Sequence, residues 1–314
     1  MIDQIPRQTN GRNKQRSKSR PYLIPSTISL LVVSIIVFVS HGKRFQVLEP
    51  KGPIAGEQLN LILYSAAFLV AIAFAALLLL YFFAWKYRES NTKATYSPDM
   101  KHGSLFSFTI WALPFAFMLI LVGILIPATH RLDPRKQVVS NVKPLTIQVV
   151  AMRWKWVFIY PEQHIATVNY VQIPTNTPVA FELSADEAPM SSFWVPNLGG
   201  QLYAMTGHVN TLNLLAKEPG EYPGSSAEIN GSGFSGMKFV AHADSKERFD
   251  TWVQEVRSSP KILDSNEYST LLKPSEYNLT AYYAIAQSNL FDNLFIKYNG
   301  SNNHMGSMEG MEHK

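Results

Sequence analysis

The sequence predicts a membrane-anchored protein of mixed class: a two-helix transmembrane hairpin, then an antiparallel β-sandwich and an aromatic-rich helical extension. Three observations predict it. Residues 59–85 and 103–129 contain no Asp, Glu, Lys or Arg. Beyond Lys143 apolar and polar residues alternate with period two. Proline and glycine then interrupt every alternating run.

The N-terminal segment, 1–20, crowds Arg7, Arg12, Lys14, Arg16, Lys18 and Arg20 against a single Asp3. It precedes an apolar run inside 21–42 that has the length of a signal-peptide core. Ser40 and Gly42 are small enough for a cleavage site, but His41 and Lys43 match one poorly. The segment is either removed or kept as a third helix. Each of the two later runs, at ~1.5 Å per residue, can cross a hydrocarbon core of about 30 Å. Tyr81, Phe82, Phe83 and Trp85 in the first, and Trp111 in the second, sit where interface aromatics sit. The Lys/Arg weighting puts the N-terminus and the 86–101 loop inside, and everything after Arg131 outside.

The domain at 141–260 opens with Leu145-Thr-Ile-Gln-Val, and 168–173, 179–183 and 209–214 alternate in the same way. Pro174, Pro178, Pro196, Gly199-Gly200 and Pro219-Gly220 mark turns. Such short strands with frequent turns predict a sandwich. A helix follows, with Asp244 as N-cap, Glu247 three residues on, and Phe249, Trp252, Val253 and Val256 along one face. The extension at 261–300 carries Tyr277, Tyr282, Tyr283, Phe291, Phe295 and Tyr298. The Gly/Asn/Met/His tail, 301–314, reads as disordered.

Composition excludes several functions. The chain has no cysteine, which removes disulfides, thiolate metal sites, cysteine nucleophiles and acylation of a processed N-terminal cysteine. Its net charge of +5 lies beside the membrane segment, since 141–260 holds eight Lys/Arg against eleven Asp/Glu. That position orients a membrane protein and does not mark a nucleic-acid partner. His164, His208 and His242 lack metal-ligand spacing, and the tail's His304, Met305, Met308, Met311 and His313 are either solvated or loose copper ligands. No catalytic group set stands out.

Several strings then carry a resemblance. Ala151-Met-Arg-Trp-Lys-Trp-Val-Phe-Ile-Tyr-Pro-Glu-Gln, Phe193-Trp-Val-Pro-Asn-Leu-Gly-Gly-Gln-Leu-Tyr-Ala-Met and Gly233-Phe-Ser-Gly-Met-Lys-Phe are similar to subunit II of bacterial cytochrome bo-type ubiquinol oxidases, in the heme-copper oxidase superfamily. Leu48-Glu-Pro-Lys-Gly, Phe83-Ala-Trp-Lys-Tyr-Arg and Pro274-Ser-Glu-Tyr-Asn extend the match in register to the tail. The resemblance implies a cupredoxin-like sandwich on the periplasmic side of the inner membrane. It also implies partners, oxidase subunits I, III and IV. Subunit I would hold two hemes and a copper ion, handle ubiquinol and reduce oxygen with proton pumping. This chain would hold no cofactor. The alternative is a membrane-tethered periplasmic assembly factor with the same fold.

Copper-bearing relatives use two thiolates, two imidazoles and a thioether, because soft sulfur bridges the metals. By resemblance, Ser191 and Phe234 stand at the two histidine positions and Asn230 at a cysteine position; Met237 keeps its type. Trp154, Trp156 and Tyr160 are either contacts with the heme-bearing subunit or sandwich core. Many relatives place a Glu four residues before the Trp of a Trp-x-x-Pro motif, at the mouth of a proton channel. The motif here is Trp111-Ala-Leu-Pro114, and Ser107 stands in that place.

Overall fold

The computed structural model describes residues 45–89, 91–93, 103–285 and 290–300, with isolated positions 27, 30, 31, 33–35 and 38. Met1–Phe45 and Gln46–Lys314 are two compact units. In the first, the isolated positions are helical. Whether 21–42 is a signal peptide or an anchor, the basic 1–20 segment and the 301–314 tail all lie outside the described residues.

The second unit begins with a 3-10 turn, Gln46–Leu48, and the hairpin helices α1 (Pro53–Lys86) and α2 (Ser104–Arg131). Pro53 opens α1, where its missing N–H costs nothing. The helix therefore starts six residues before the uncharged run and carries Glu57 outside it. Its 34 residues span ~51 Å at 1.5 Å each, well beyond the ~30 Å hydrocarbon core. Within the two helices only Ala55 and Ala128 are buried, while Phe74, Leu80, Phe108 and Trp111 face outward. An apolar surface this continuous has a membrane or a partner as its solvent. Phe68 meets Phe117 edge to face at 5.7 Å between the helices.

The sandwich strands are β1 (Leu145–Met152), β2 (Lys155–Tyr160), β3 (Ile165–Val168), β4 (Tyr170–Pro174), β5 (Val179–Ala185), β6 (Ser191–Trp194), β7 (Leu202–Ala204), β8 (Asn210–Leu214), β9 (Gly220–Ser226) and β10 (Lys238–Asp244). Helix α3 (Lys246–Arg257) follows. The extension then supplies β11 (Ile262–Leu263), α4 (Ser265–Leu272), β12 (Ala281–Ile285) and α5 (Leu290–Asn299). One sheet runs β11-β12-β3-β2-β1-β5-β8 and the other β4-β10-β9-β6-β7.

The sandwich forms as expected, but its pairing is mixed: β1–β5, β4–β10 and β11–β12 are parallel. The run at 168–173 is two strands, not one. Asn169 takes a left-handed φ of 53° between them, accepts the Trp156 N–H and donates to Asn278 O. Asp244 is not the N-cap. It ends β10, and Ser245 caps α3 by accepting the Arg248 N–H.

Two cores explain the extension. Between the sheets lie Ile147, Val149, Trp156, Phe158, Phe181, Phe193 and Phe239, with Phe249 and Val253 of α3. On the outer face of the larger sheet, Val150, Met152, Val157 and Ile159 are covered by Tyr268, Tyr283, Leu290, Phe291 and Leu294. The extension is thus part of the domain, adding two strands and a second apolar layer.

Two asparagines fasten the hairpin to the sandwich. Asn197 donates to Gln46 O and Glu49 O at 3.2 and 2.9 Å. Asn213 donates to Arg135 O at 3.0 Å, and its backbone N–H to Pro134 O. Gly52 is required between them, because a Cβ there would lie 2.4 Å from Leu215 O.

Candidate functional site

The fold brings Ser191, Asn230 and Met237 into one buried cluster. Ser191 opens β6, Asn230 precedes the 3-10 turn Ser232–Gly236, and Met237 follows that turn. Asn230 Nδ2 donates to Ser191 Oγ at 2.7 Å and to Met237 Sδ at 3.0 Å. Ser191 Oγ in turn donates to Pro189 O at 3.1 Å. Both Ser191 and Met237 are fully buried. Asn230 Oδ1 has no partner, a lone acceptor inside the cluster.

These groups do not fit copper. One thioether, one hydroxyl and one amide offer no thiolate to bridge two metals and no imidazole. The amide is also engaged by both of its hydrogens. Phe234, the fourth position, sits half-buried within the 3-10 turn. Among the described residues no three His, Asp or Glu side chains converge as a metal site. His242 lies 3.6 Å from Asp244 and 3.9 Å from Glu221 without forming one.

Trp154 forms the lid of this cluster. It is the second residue of the two-residue turn joining β1 to β2, where Met152 pairs with Lys155. Its φ of 63° is uncommon for a bulky residue. Its indole N–H points to Asn230 O at 3.4 Å. A Cβ at Gly233 would lie 2.4 Å from the Trp154 ring, so glycine lets the indole close over the loop.

Of the two readings, contact or core, Trp156 and Tyr160 take the core positions. Both are fully buried, Trp156 stacking edge to face on Phe193 at 5.4 Å. Tyr160 Oη donates to Gln172 O and accepts the Gln172 N–H, both at 2.9 Å. Neither presents a surface to a partner, whereas Trp154 remains half-exposed. Ser107 lies in the first turn of α2, exposed, with its N–H on Gly103 O.

Two anchors of the site were hidden from sequence because their partners are more than eighty residues away. Lys155, 2% exposed, donates to Leu271 O and Lys273 O at 2.7 and 2.9 Å, capping the C-terminus of α4. Burial lowers its pKa. Asp186, 1% exposed, receives Tyr268 Oη at 2.9 Å, Tyr298 Oη at 2.6 Å and the Lys297 ammonium at 2.9 Å. Desolvation opposes the charge on Lys297, but its hydrogen bonds to Glu187 and Asp186 raise its pKa overall. Burial raises Tyr268, and the neighbouring Asp186 adds to the shift. Lys155 and Asp186 tie the sandwich to both ends of the extension.

Two long apolar helices, a two-sheet sandwich and a fused aromatic-rich extension define an oxidase subunit II-type protein. Residues 161–244 match the family described as cytochrome C oxidase subunit II, periplasmic domain, and residues 257–302 match the COX Aromatic Rich Motif. The cytochrome bo(3) ubiquinol oxidase subunit 2 of Pseudomonas putida is 47% identical over 83% of this chain and 83% of its own length. The ubiquinol oxidase subunit 2 of Acetobacter aceti is 44% identical over 82% and 84%. A solved periplasmic domain of cytochrome oxidase subunit II from Bradyrhizobium japonicum is 19% identical, covers 38% of this chain and 96% of its own, and has a TM-score of 0.35. The chain belongs to the ubiquinol oxidase subunit 2 family.

Proposed function

We propose that this chain is the copper-free subunit II of a proton-pumping ubiquinol oxidase that reduces oxygen to water. The observation that carries the reading is the Ser191–Asn230–Met237 cluster. A subunit receiving electrons from a soluble carrier needs a metal at that place, and here an amide fills it. A lipid-soluble quinol reaches the heme-bearing subunit from within the membrane and needs no outer relay. The chain itself supplies no catalytic group. It stabilises the complex and covers its outer face, on the periplasmic side of the bacterial inner membrane. Subunits I, III and IV are its partners, with the hemes and copper in subunit I. Family membership favours this over the assembly-factor alternative.

Trp154 is the residue we assign to the contact with subunit I, being half-exposed and held in a strained turn. Ser107 is assigned to the inner membrane face, where it replaces a channel-mouth carboxylate. The test is quinol-driven oxygen uptake by membranes from cells lacking the chain. Uptake is lost without the chain and returns with it; uptake that is unchanged contradicts the reading.

A further inference from the structure

A cavity of about 280 Å³ opens where α1 passes beneath the sandwich. One wall is helical: Ala55, Gln58 and Ile62 fall at i, i+3 and i+7 and so share a face, with Leu61 beside them. The opposite wall comes from the sandwich, chiefly Trp194 and Pro196. Gly199 lines it, and both Gly199 and Gly200 sit at close approaches. A Cβ on Gly199 would lie 2.7 Å from Leu214 Cδ2, and one on Gly200 would lie 2.9 Å from the Gln58 amide.

The depth of this cavity in the bilayer follows from the charges on α1. Lys51 stands on its outward side, Glu57 lies between the lining residues Ala55 and Gln58, and the uncharged run begins just beyond, at Leu59. The boundary of the hydrocarbon therefore falls between Glu57 and Ile62, at the level of the cavity. Its floor continues into the lipid-facing surface of α1, where Leu63 and Leu69 are exposed. The lining is apolar except for the Gln58 amide, and the half-buried Trp194 is of the kind found at headgroup level.

We infer that this cavity is a phospholipid site, taking the upper acyl chain of a lipid in the leaflet on the sandwich side. The Gln58 amide would meet the polar ester end. A chain held there fills the wedge between hairpin and sandwich, which the Asn197 and Asn213 bonds hold at a fixed separation. The inference rests on the hairpin crossing a bilayer and not on the oxidase reading, so the two can fail separately.

The test uses the full chain extracted from its own membrane with whatever accompanies it. A diazirine analogue of leucine replaces Leu61 or, as a control on the open lipid-facing surface, Leu78. After exchange into lipid-free detergent, irradiation and intact-mass measurement identify the adduct. The site predicts a phospholipid-sized adduct at position 61, retained severalfold over position 78. Equal loss at both positions, a quinone-sized adduct or a peptide from another subunit would overturn it. An Ala55→Leu variant with unchanged thermal melting should also co-purify less phospholipid; an unchanged lipid content counts against the site.

Discussion

Asn230 donates its amide to the Met237 thioether at 3.0 Å, and the same nitrogen reaches Ser191 Oγ at 2.7 Å. Side chains from two distant segments are thus joined by hydrogen bonds at the positions we assign to a vestigial copper site. Asn230→Ala removes both donors and should destabilise the domain by about 1–2 kcal/mol, as measured by denaturant melts of the solubilised chain. Copper added under reducing or oxidising conditions should not restore the loss. It should also raise no thiolate-to-copper absorption band in the wild-type chain. Such a band, or rescue by copper, contradicts the assignment.

Lys155 links the turn bearing Trp154 to the end of α4. Burial lowers its pKa below the ordinary 10.5, so the unfolded state binds more protons in the window between the lowered value and 10.5. Stability therefore rises with pH across that window. Lys155→Met should lose this rise and cost about 1–3 kcal/mol by stranding two carbonyls. Melts of both forms across an alkaline pH series check it. An equal alkaline rise in the two forms would remove Lys155 from the account.

Gly52 and Gly56 lie one helical turn apart and differ completely in surroundings. A Cβ at Gly52 meets backbone oxygen at 2.4 Å, while none of the neighbours of Gly56 comes within 4 Å. Gly52→Ala should loosen the joint between hairpin and sandwich, read as faster proteolysis between residues 131 and 145. Gly56→Ala should leave proteolysis unchanged. Equal rates in the two variants would show that the close approach at Gly52 is not a constraint.

These features differ in how far the sequence announces them. The hairpin was legible because its uncharged runs are long, and α1 extends six residues beyond the first run on its N-terminal side. The alternating strands β1, β5 and β8 were legible because one face is polar or partly exposed. β2 was not, since all six of its residues are buried: one side packs in the sandwich and the other under the extension. β9, with Gly220, Pro223 and Gly224, reads as turn material and is held as a strand by its neighbours β10 and β6. The positions Ser191, Asn230 and Met237 came from resemblance, and that they bond to one another could only be seen in the fold. Nothing local marked Asp186, whose partners Tyr268, Lys297 and Tyr298 belong to the extension.

Ser107 stands at the start of α2, and we assign it by resemblance to the place of a channel-mouth carboxylate. A hydroxyl passes protons along a chain of hydrogen bonds but cannot hold one as an acid does. We propose that an acid elsewhere in the complex supplies that function. Ser107→Glu should then leave quinol turnover intact or faster across a pH series. A severe loss with normal assembly and heme content would mean that the residue lies elsewhere.

The central claim is that this chain works as a subunit without copper beside a heme-bearing partner. Purification through a tag on this chain, from membranes in mild detergent, tests it most directly. The account predicts that a multi-helix heme subunit accompanies the chain, that the preparation oxidises ubiquinol with oxygen uptake, and that the separated chain carries no copper. A chain that emerges free of heme, or that brings its own copper, would contradict it.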